Sequence, residues 1–134
     1  MVGIDGSDSS KKALRWAVDN AGGAQIVALH AYDVQVPAPD ATPGPPPDIA
    51  GLVAEIHEGA IRLVTSIVDE VAGDATVTAR AVEGRPADVL LEAAEDADLL
   101  VAGSHGAGLA EVLLGSVSLE CVERGRGPVL IHRG

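Results

Sequence analysis

Two short runs carry the residue types that could do chemistry: Gly103-Ser104-His105-Gly106, and Gly115-Ser116-Val117-Ser118 shortly after it. Glycine lacks a Cβ, so its backbone can turn with positive φ and come close to a ligand. Gly115-Ser116 is placed to open a helix, whose free N–H groups and dipole favour an anion. The Ser116 and Ser118 hydroxyls can add hydrogen bonds. A strand, a glycine-rich loop and a helix start together make a phosphate-binding arrangement. The plainer reading of the same residues is a loop followed by a serine-capped helix. Neither of the two common nucleotide fingerprints is present. No Gly-Lys-Ser/Thr follows, the glycine spacing is not that of a dinucleotide site, and the run follows the fourth predicted strand, not the first.

Other chemistry is poorly supported. Ser104, His105 and Asp5 include the right types for a nucleophilic triad, but adjacent side chains rarely point the same way and nothing fixes the geometry. Contact with phosphate or backbone suits His105 better. His30, His57 and His132 share no metal-ligand spacing. His30 is expected at a strand end and His57 on a wet helix face. The single cysteine, Cys121, excludes a disulfide framework and a cysteine metal cluster. It reads as a small buried hydrophobe in the last helix. No catalytic base, metal-binding acid cluster or arginine finger stands near the glycine run, which lowers the case for an enzyme.

The elements that must position these residues follow from periodicity. Residues 2–5 are a short apolar strand ending in Asp5. Residues 8–21 read as a helix with Ala13, Leu14, Ala17, Val18 and Ala21 on one face, capped by Ser7 or Ser9. Residues 25–31 are a mostly apolar strand. Six of the eight prolines lie in 33–49, which makes that stretch an extended connection. Its proline-rich part, 37–47, leaves the second strand at the end of the sheet where a crevice is expected, so a lid or partner-binding arm there competes with a plain connector. A long helix over 50–72 carries Val53, Ile56, Ala60, Val64, Ile67 and Val71 at helical spacing. Residues 75–82 alternate in part, as in a strand near a sheet edge. A helix begins at Pro86, with Ala87, Leu90, Leu91 and Ala94 inward. A strand over 98–102, a helix over 115–124 and a strand over 128–132 complete the chain. Glu92, Glu95, Asp96 and Asp98 read as a solvated face and a turn. Strands alternating with helices argue for a parallel sheet covered on both faces, with a crevice at the C-terminal strand ends. Asp5, the Ala31–Tyr32 junction and the glycine run all fall there.

The chain of 134 residues reads as one domain, 1–134, and 47% of it is hydrophobic. With no Phe, one Trp and one Tyr, its core must be built from Ala, Val, Leu and Ile. The formal net charge of −11 repels phosphate backbones and anionic lipid heads, so no nucleic acid and no membrane is expected as a partner. A free nucleotide differs, because a local nest of N–H groups can hold a phosphate despite the global charge. Without a signal-like start or an apolar run of membrane-spanning length, the expected compartment is the cytoplasm.

The motifs, taken in order, resemble those of the universal stress protein family over essentially the whole chain. The opening Val-Gly-Ile-Asp-Gly-Ser-Asp-Ser-Ser is similar to the family's start. So is Val82-Glu83-Gly84-Arg85-Pro86-Ala87 leading into Leu-Leu-Glu-Ala-Ala-Glu-Asp-Ala-Asp-Leu-Leu-Val. Gly-Ser-His-Gly, Leu-Leu-Gly-Ser-Val-Ser and the closing Gly-Pro-Val-Leu-Ile complete the likeness. The resemblance implies an α/β, Rossmann-like open parallel sheet of five strands in the order 3-2-1-4-5, with helices on both faces. It also implies a homodimer through the last strand (Val129, Leu130, Ile131). The first strand is shorter than the family usually shows, so the start of the chain reads as truncated.

The family has a subtype that binds ATP and one that does not. The ATP-binding pattern is Gly, two residues, Gly, nine residues, then Gly-Ser/Thr. Gly103, Gly106, Gly115 and Ser116 fit it, but only eight residues (107–114) stand in the gap. Because both glycine ends and the serine survive, the resemblance implies retained ATP binding, with or without Mg2+. Carried over by position, Asp5 would lie near adenine or ribose, and Ala31 would give backbone hydrogen bonds to the adenine edge. Gly103, His105, Gly106, Gly115, Ser116 and Val117 would surround the ribose and phosphates. The leading expectation is an ATP-binding regulatory or stress-response protein. A slow ATPase and a nucleotide-free dimeric scaffold are the alternatives.

Overall fold

Short apolar strands separated by amphipathic helices can bury both faces of a sheet only if the strands run parallel and the helices cross over it. The computed structural model, which describes residues 1–34, 44–45, 48–105 and 114–134, has that form. Its elements are β1 (Val2–Ile4), α1 (Asp8–Asn20), β2 (Ile26–Tyr32), α2 (Ile49–Ala72), β3 (Val77–Glu83), α3 (Pro86–Ala94), β4 (Leu100–Gly103), α4 (Ser116–Arg124) and β5 (Val129–His132). All strand pairs are parallel, and the order is β3-β2-β1-β4-β5, as the resemblance implied. The partly alternating strand is indeed at an edge. Of the six prolines between 33 and 49, only Pro45 is described, so the expectation of a lid or arm lies outside the described residues.

Side-chain alternation along each strand divides the core in two. Helices α1 and α2 cover one face, where Val2, Ala13, Leu14, Ala28, Val64, Ile67 and Val101 are buried together. Helices α3 and α4 cover the other, over Leu29, Val89, Leu90, Leu100 and Cys121. Leu14, Leu29 and Leu100 are almost wholly excluded from water, each worth roughly 2–3 kcal/mol relative to an exposed leucine. Cys121 is the buried small hydrophobe expected of it, and burial pushes its thiol pKa up.

Local chemistry sets the turns. Ser7 caps α1 by accepting from the Ser10 amide at 3.2 Å, and Asp48 caps α2 by accepting from the Gly51 amide at 3.0 Å. Such caps contribute about 1 kcal/mol each. Between β3 and α3, Gly84 sits at φ 147°, a conformation that disfavours any residue with a Cβ. Among the described residues no helix is long and apolar enough to cross a membrane.

Candidate functional site

The central strand β1 is short, and its pairing with β2 stops at Ile4 opposite His30. Strand β2 runs on through Ala31 and Tyr32, held on its far side by β3. A notch therefore opens past the end of β1, flanked by the extension of β2 and the end of β4. It is the point where the chain leaves for α1 on one face and α4 on the other, the usual ligand position in open α/β sheets.

Successive carbonyls of a strand point to opposite neighbours. The Tyr32 carbonyl accepts from the Gly84 amide beyond β3 at 2.8 Å, so the Ala31 carbonyl points the other way, toward β1. Since β1 has already ended, that acceptor faces the notch. Beside it the His30 Nδ1 lies 2.7 Å from the Ile4 carbonyl, which tucks the ring over the last β1 peptide. His30 is thus at a strand end, as expected.

Asp5 follows β1 directly and is exposed. Its Oδ1 accepts from the Ser7 amide at 2.9 Å and from the Ser7 hydroxyl, closing the turn into α1. The Ser10 hydroxyl in turn meets the Asp5 amide at 3.4 Å. Asp5 therefore has a structural task in the turn, and its second carboxylate oxygen has no partner among the described residues.

On the other side of the notch, the two glycine runs are tied together. The Gly115 amide donates to the Ser104 carbonyl at 2.7 Å, and the Ser118 hydroxyl donates to the Gly103 carbonyl. Gly115 is the N-cap of α4 and provides no capping side chain, unlike Ser7 and Asp48 at the starts of α1 and α2. Among the described residues the first amides of α4 have no side-chain cap, which leaves them open to an external acceptor. Ser116 at the helix start is exposed, while Val117 is half-buried against the α3–α4 core. His105 is half-buried, with Nδ1 2.8 Å from the Ser104 hydroxyl. Gly106 lies outside the described residues.

Several expectations need correction. Gly103 and Gly115 do not use positive φ; Gly115 sits at φ −65°, ψ 161°, which any residue adopts. Gly103 is required instead by packing, since a Cβ there would fall 2.8 Å from the Ser9 carbonyl carbon in α1. The Ser118 hydroxyl is not free for an anion, because it is committed to Gly103. The adjacent Ser104 and His105 do point together. Asp5, however, bonds to Ser7, so no Ser-His-Asp relay joins these three. His57 is not on a wet face: it is half-buried, and its Nδ1 meets the Tyr32 hydroxyl at 2.5 Å. Its spacing from Val53, Ala60 and Val64 was the signal that placed it near the inner face.

A four-charge network also escaped sequence reading. Arg85, just before α3, bonds to Asp88 and bidentately to Glu120 of α4, while Arg124 bonds to the same two acids. The Arg85 guanidinium, with help from Arg124, holds the Glu120 carboxyl at about 2, and the same two arginines hold Asp88 below its usual range. Arg85 itself is raised by its hydrogen bonds to Glu120 and Asp88. The ring joins α4, which carries the free amide end, to α3.

Comparison with known proteins bears on the family and the fold. A family model described as the universal stress protein family matches residues 1–133. Universal stress protein Rv2005c of Mycobacterium tuberculosis is 36% identical over 143 residues, 99% of this chain and 44% of the relative. Universal stress protein Rv1996 of the same organism is 37% identical over 137 residues, 99% of this chain and 43% of the relative. The chain thus spans less than half the length of these curated relatives. Among solved structures, a universal stress protein in complex with cAMP aligns with a TM-score of 0.70 at 30% identity, over 99% of this chain and 95% of that one. A universal stress protein family protein of Arabidopsis thaliana, with AMP bound, shares the fold with a TM-score of 0.64 at 22% identity, over 98% and 88%.

Proposed function

The chain belongs to the universal stress protein family, and on that premise we propose that residues 1–134 act as one adenine-nucleotide-binding unit, holding ATP in a regulatory, stress-related role. The observation that carries the reading is the Ala31 carbonyl turned into the notch past the end of β1. An acceptor there takes the exocyclic amino group of adenine and opposes the O6 acceptor of guanine. Across the notch, the uncapped start of α4 at Gly115, Ser116 and Val117 suits the phosphates. Asp5 has a carboxylate oxygen that is without a partner among the described residues and could serve ribose; Gly103 and His105 stand at and just past the end of β4, and Gly106 belongs to the same proposed set by its sequence position. The 30%-identical neighbour that holds cAMP supports an adenine nucleotide in this fold. Mg2+, if carried, rides on the phosphates.

Calorimetry with ATP and GTP tests this. ATP should bind more tightly; equal affinity, or none for either, overturns the adenine assignment. If ATP is held unchanged for hours with magnesium, the regulatory reading stands over a slow ATPase. Protein that neither carries nor binds nucleotide is the dimeric scaffold instead.

The proposal extends to a cytoplasmic homodimer through β5. That strand is an edge, its residues Val129, Leu130 and Ile131 are only partly buried, and Leu119 and Val122 of the neighbouring α4 are 43% and 48% exposed. Unpaired apolar edges associate unless covered. Monomeric mass in light scattering at micromolar concentration rejects the dimer.

A further inference from the structure

Helix α2 is longer than the sheet beneath it. Its 24 residues extend about 36 Å, whereas β2, with 7 residues, covers about 23 Å. The buried residues of α2 begin only at Ala60, with Val64, Ile67, Val68, Val71 and Ala72 after it. Helices that cross back over a parallel sheet run opposite to its strands, so the first part of α2, residues 49–59, projects past the C-terminal strand ends. That is the end where the notch lies. Val53, Ile56 and His57 continue the inner stripe of Ala60 and Val64 at helical spacing. All three are half-buried, and neither Val53 nor Ile56 belongs to either core cluster.

Two contacts tie this part of α2, and the turn that follows it, to the flanks of the notch. At the end of β2, the Tyr32 hydroxyl and the His57 Nδ1 lie 2.5 Å apart, with the ring centroids at 5.6 Å and the planes inclined by 54°. In the turn after β1, Gly6 sits under Leu63: a Cβ at Gly6 would meet both Leu63 δ carbons at 3.8 Å.

The Tyr32 contact reaches the site through the backbone. The Ala31 carbonyl and the Tyr32 amide form one planar peptide. The Ala31 side chain packs with the α3–α4 core, and the Tyr32 side chain stands on the opposite face, under α2. On the β3 side this peptide is held by the pairing of Tyr32 with Glu83 and by the Gly84 amide on the Tyr32 carbonyl. On the other side the pairing with β1 has stopped at Ile4, so no strand fixes it there. The phenol of Tyr32, pinned to His57, provides the missing constraint.

We propose that Tyr32 is a positioning residue of the nucleotide site, acting through Ala31: its bond to His57 fixes the Ala31–Tyr32 peptide and holds the first part of α2 as a wall beside the base. This role rests on the adenine-nucleotide reading above and adds Tyr32 and His57 to it. Both bear on the base end of the ligand and leave the phosphate end alone.

Calorimetry with adenosine and with ATP tests the role, with affinities taken per folded molecule and circular dichroism melting followed in parallel. Tyr32→Phe keeps the ring and removes the hydroxyl. It should weaken both ligands by the same factor, about tenfold. Gly115→Val, at the phosphate end, should weaken ATP and spare adenosine. His57→Leu should match Tyr32→Phe, and the double variant should bind no more weakly than either one. His57→Asn keeps a group that can donate or accept where Nδ1 stands, and should recover most of the parental affinity. If the parent binds both ligands and Tyr32→Phe binds them as tightly, the positioning role is overturned and the nucleotide reading stands. A lower melting temperature with unchanged affinities has the same consequence, as does a loss confined to ATP. A parent that binds neither ligand overturns the nucleotide reading and this role with it.

Discussion

Gly103 and Ser9 are in direct contact across the end of the sheet: the Cα of Gly103 lies under the Ser9 backbone of α1, with no room for a side chain between them. The first glycine of the phosphate-loop pattern is therefore also the seat of the first helix. Gly103→Ala should destabilise the domain by about 1–3 kcal/mol, the range for overpacking a tight contact. Urea unfolding measures it. Unchanged stability would mean that α1 can shift away freely.

Gly115 is held in a backbone conformation open to any residue, so its substitution tests approach and not strain. Gly115→Val should keep the native circular dichroism spectrum and lower ATP affinity at least about tenfold. A sharply lower melting temperature with normal affinity per folded molecule would make the glycine structural only.

Ser118 closes the Gly103 carbonyl, tying α4 to the end of β4. Ser118→Ala leaves that acceptor unpaired in a buried place, which costs about 1–3 kcal/mol. The loss should appear in chemical denaturation, and ATP affinity should fall as the α4 amides lose their fixed position. A variant as stable as the parent would show that water replaces the hydroxyl.

Glu120 provides a pH test. Its carboxyl titrates at about 2 in the folded protein against an ordinary value of 4.5. A depressed folded pKa favours the native state above the ordinary value, and the advantage disappears as pH falls from about 4.5 through about 2. All four network groups face water, so salt screens the effect. Carbon-13 carboxyl titration should place Glu120 near 2, and Arg85→Ala should move it back toward 4.5. No movement in that variant would show that Arg124 alone holds the charge.

Much of this was legible in the sequence because it is local. Strand and helix periodicities placed the nine elements seen among the described residues to within about two residues, and the serine cap of α1 and the edge position of β3 were readable in the same way. The two glycine runs marked the notch because glycine and serine at a strand-to-helix junction have few other uses. The order 3-2-1-4-5 came from the family likeness, since alternation alone permits several orders.

The rest depended on partners distant in the chain. Which way the Ala31 carbonyl points follows from where β1 stops relative to β2, a matter of register. The Gly103–Ser9 contact, the Tyr32–His57 bond and the Arg85–Glu120 pair join residues on different elements, through close packing that no periodicity encodes. The sequence by itself determined which segments are strands and helices, because a 2.0 or 3.6 residue repeat is written in neighbouring side chains. Only the tertiary structure decided which acceptors stay free among the described residues and which glycines are packing seats. Those properties arise when strands choose neighbours and helices settle on the sheet.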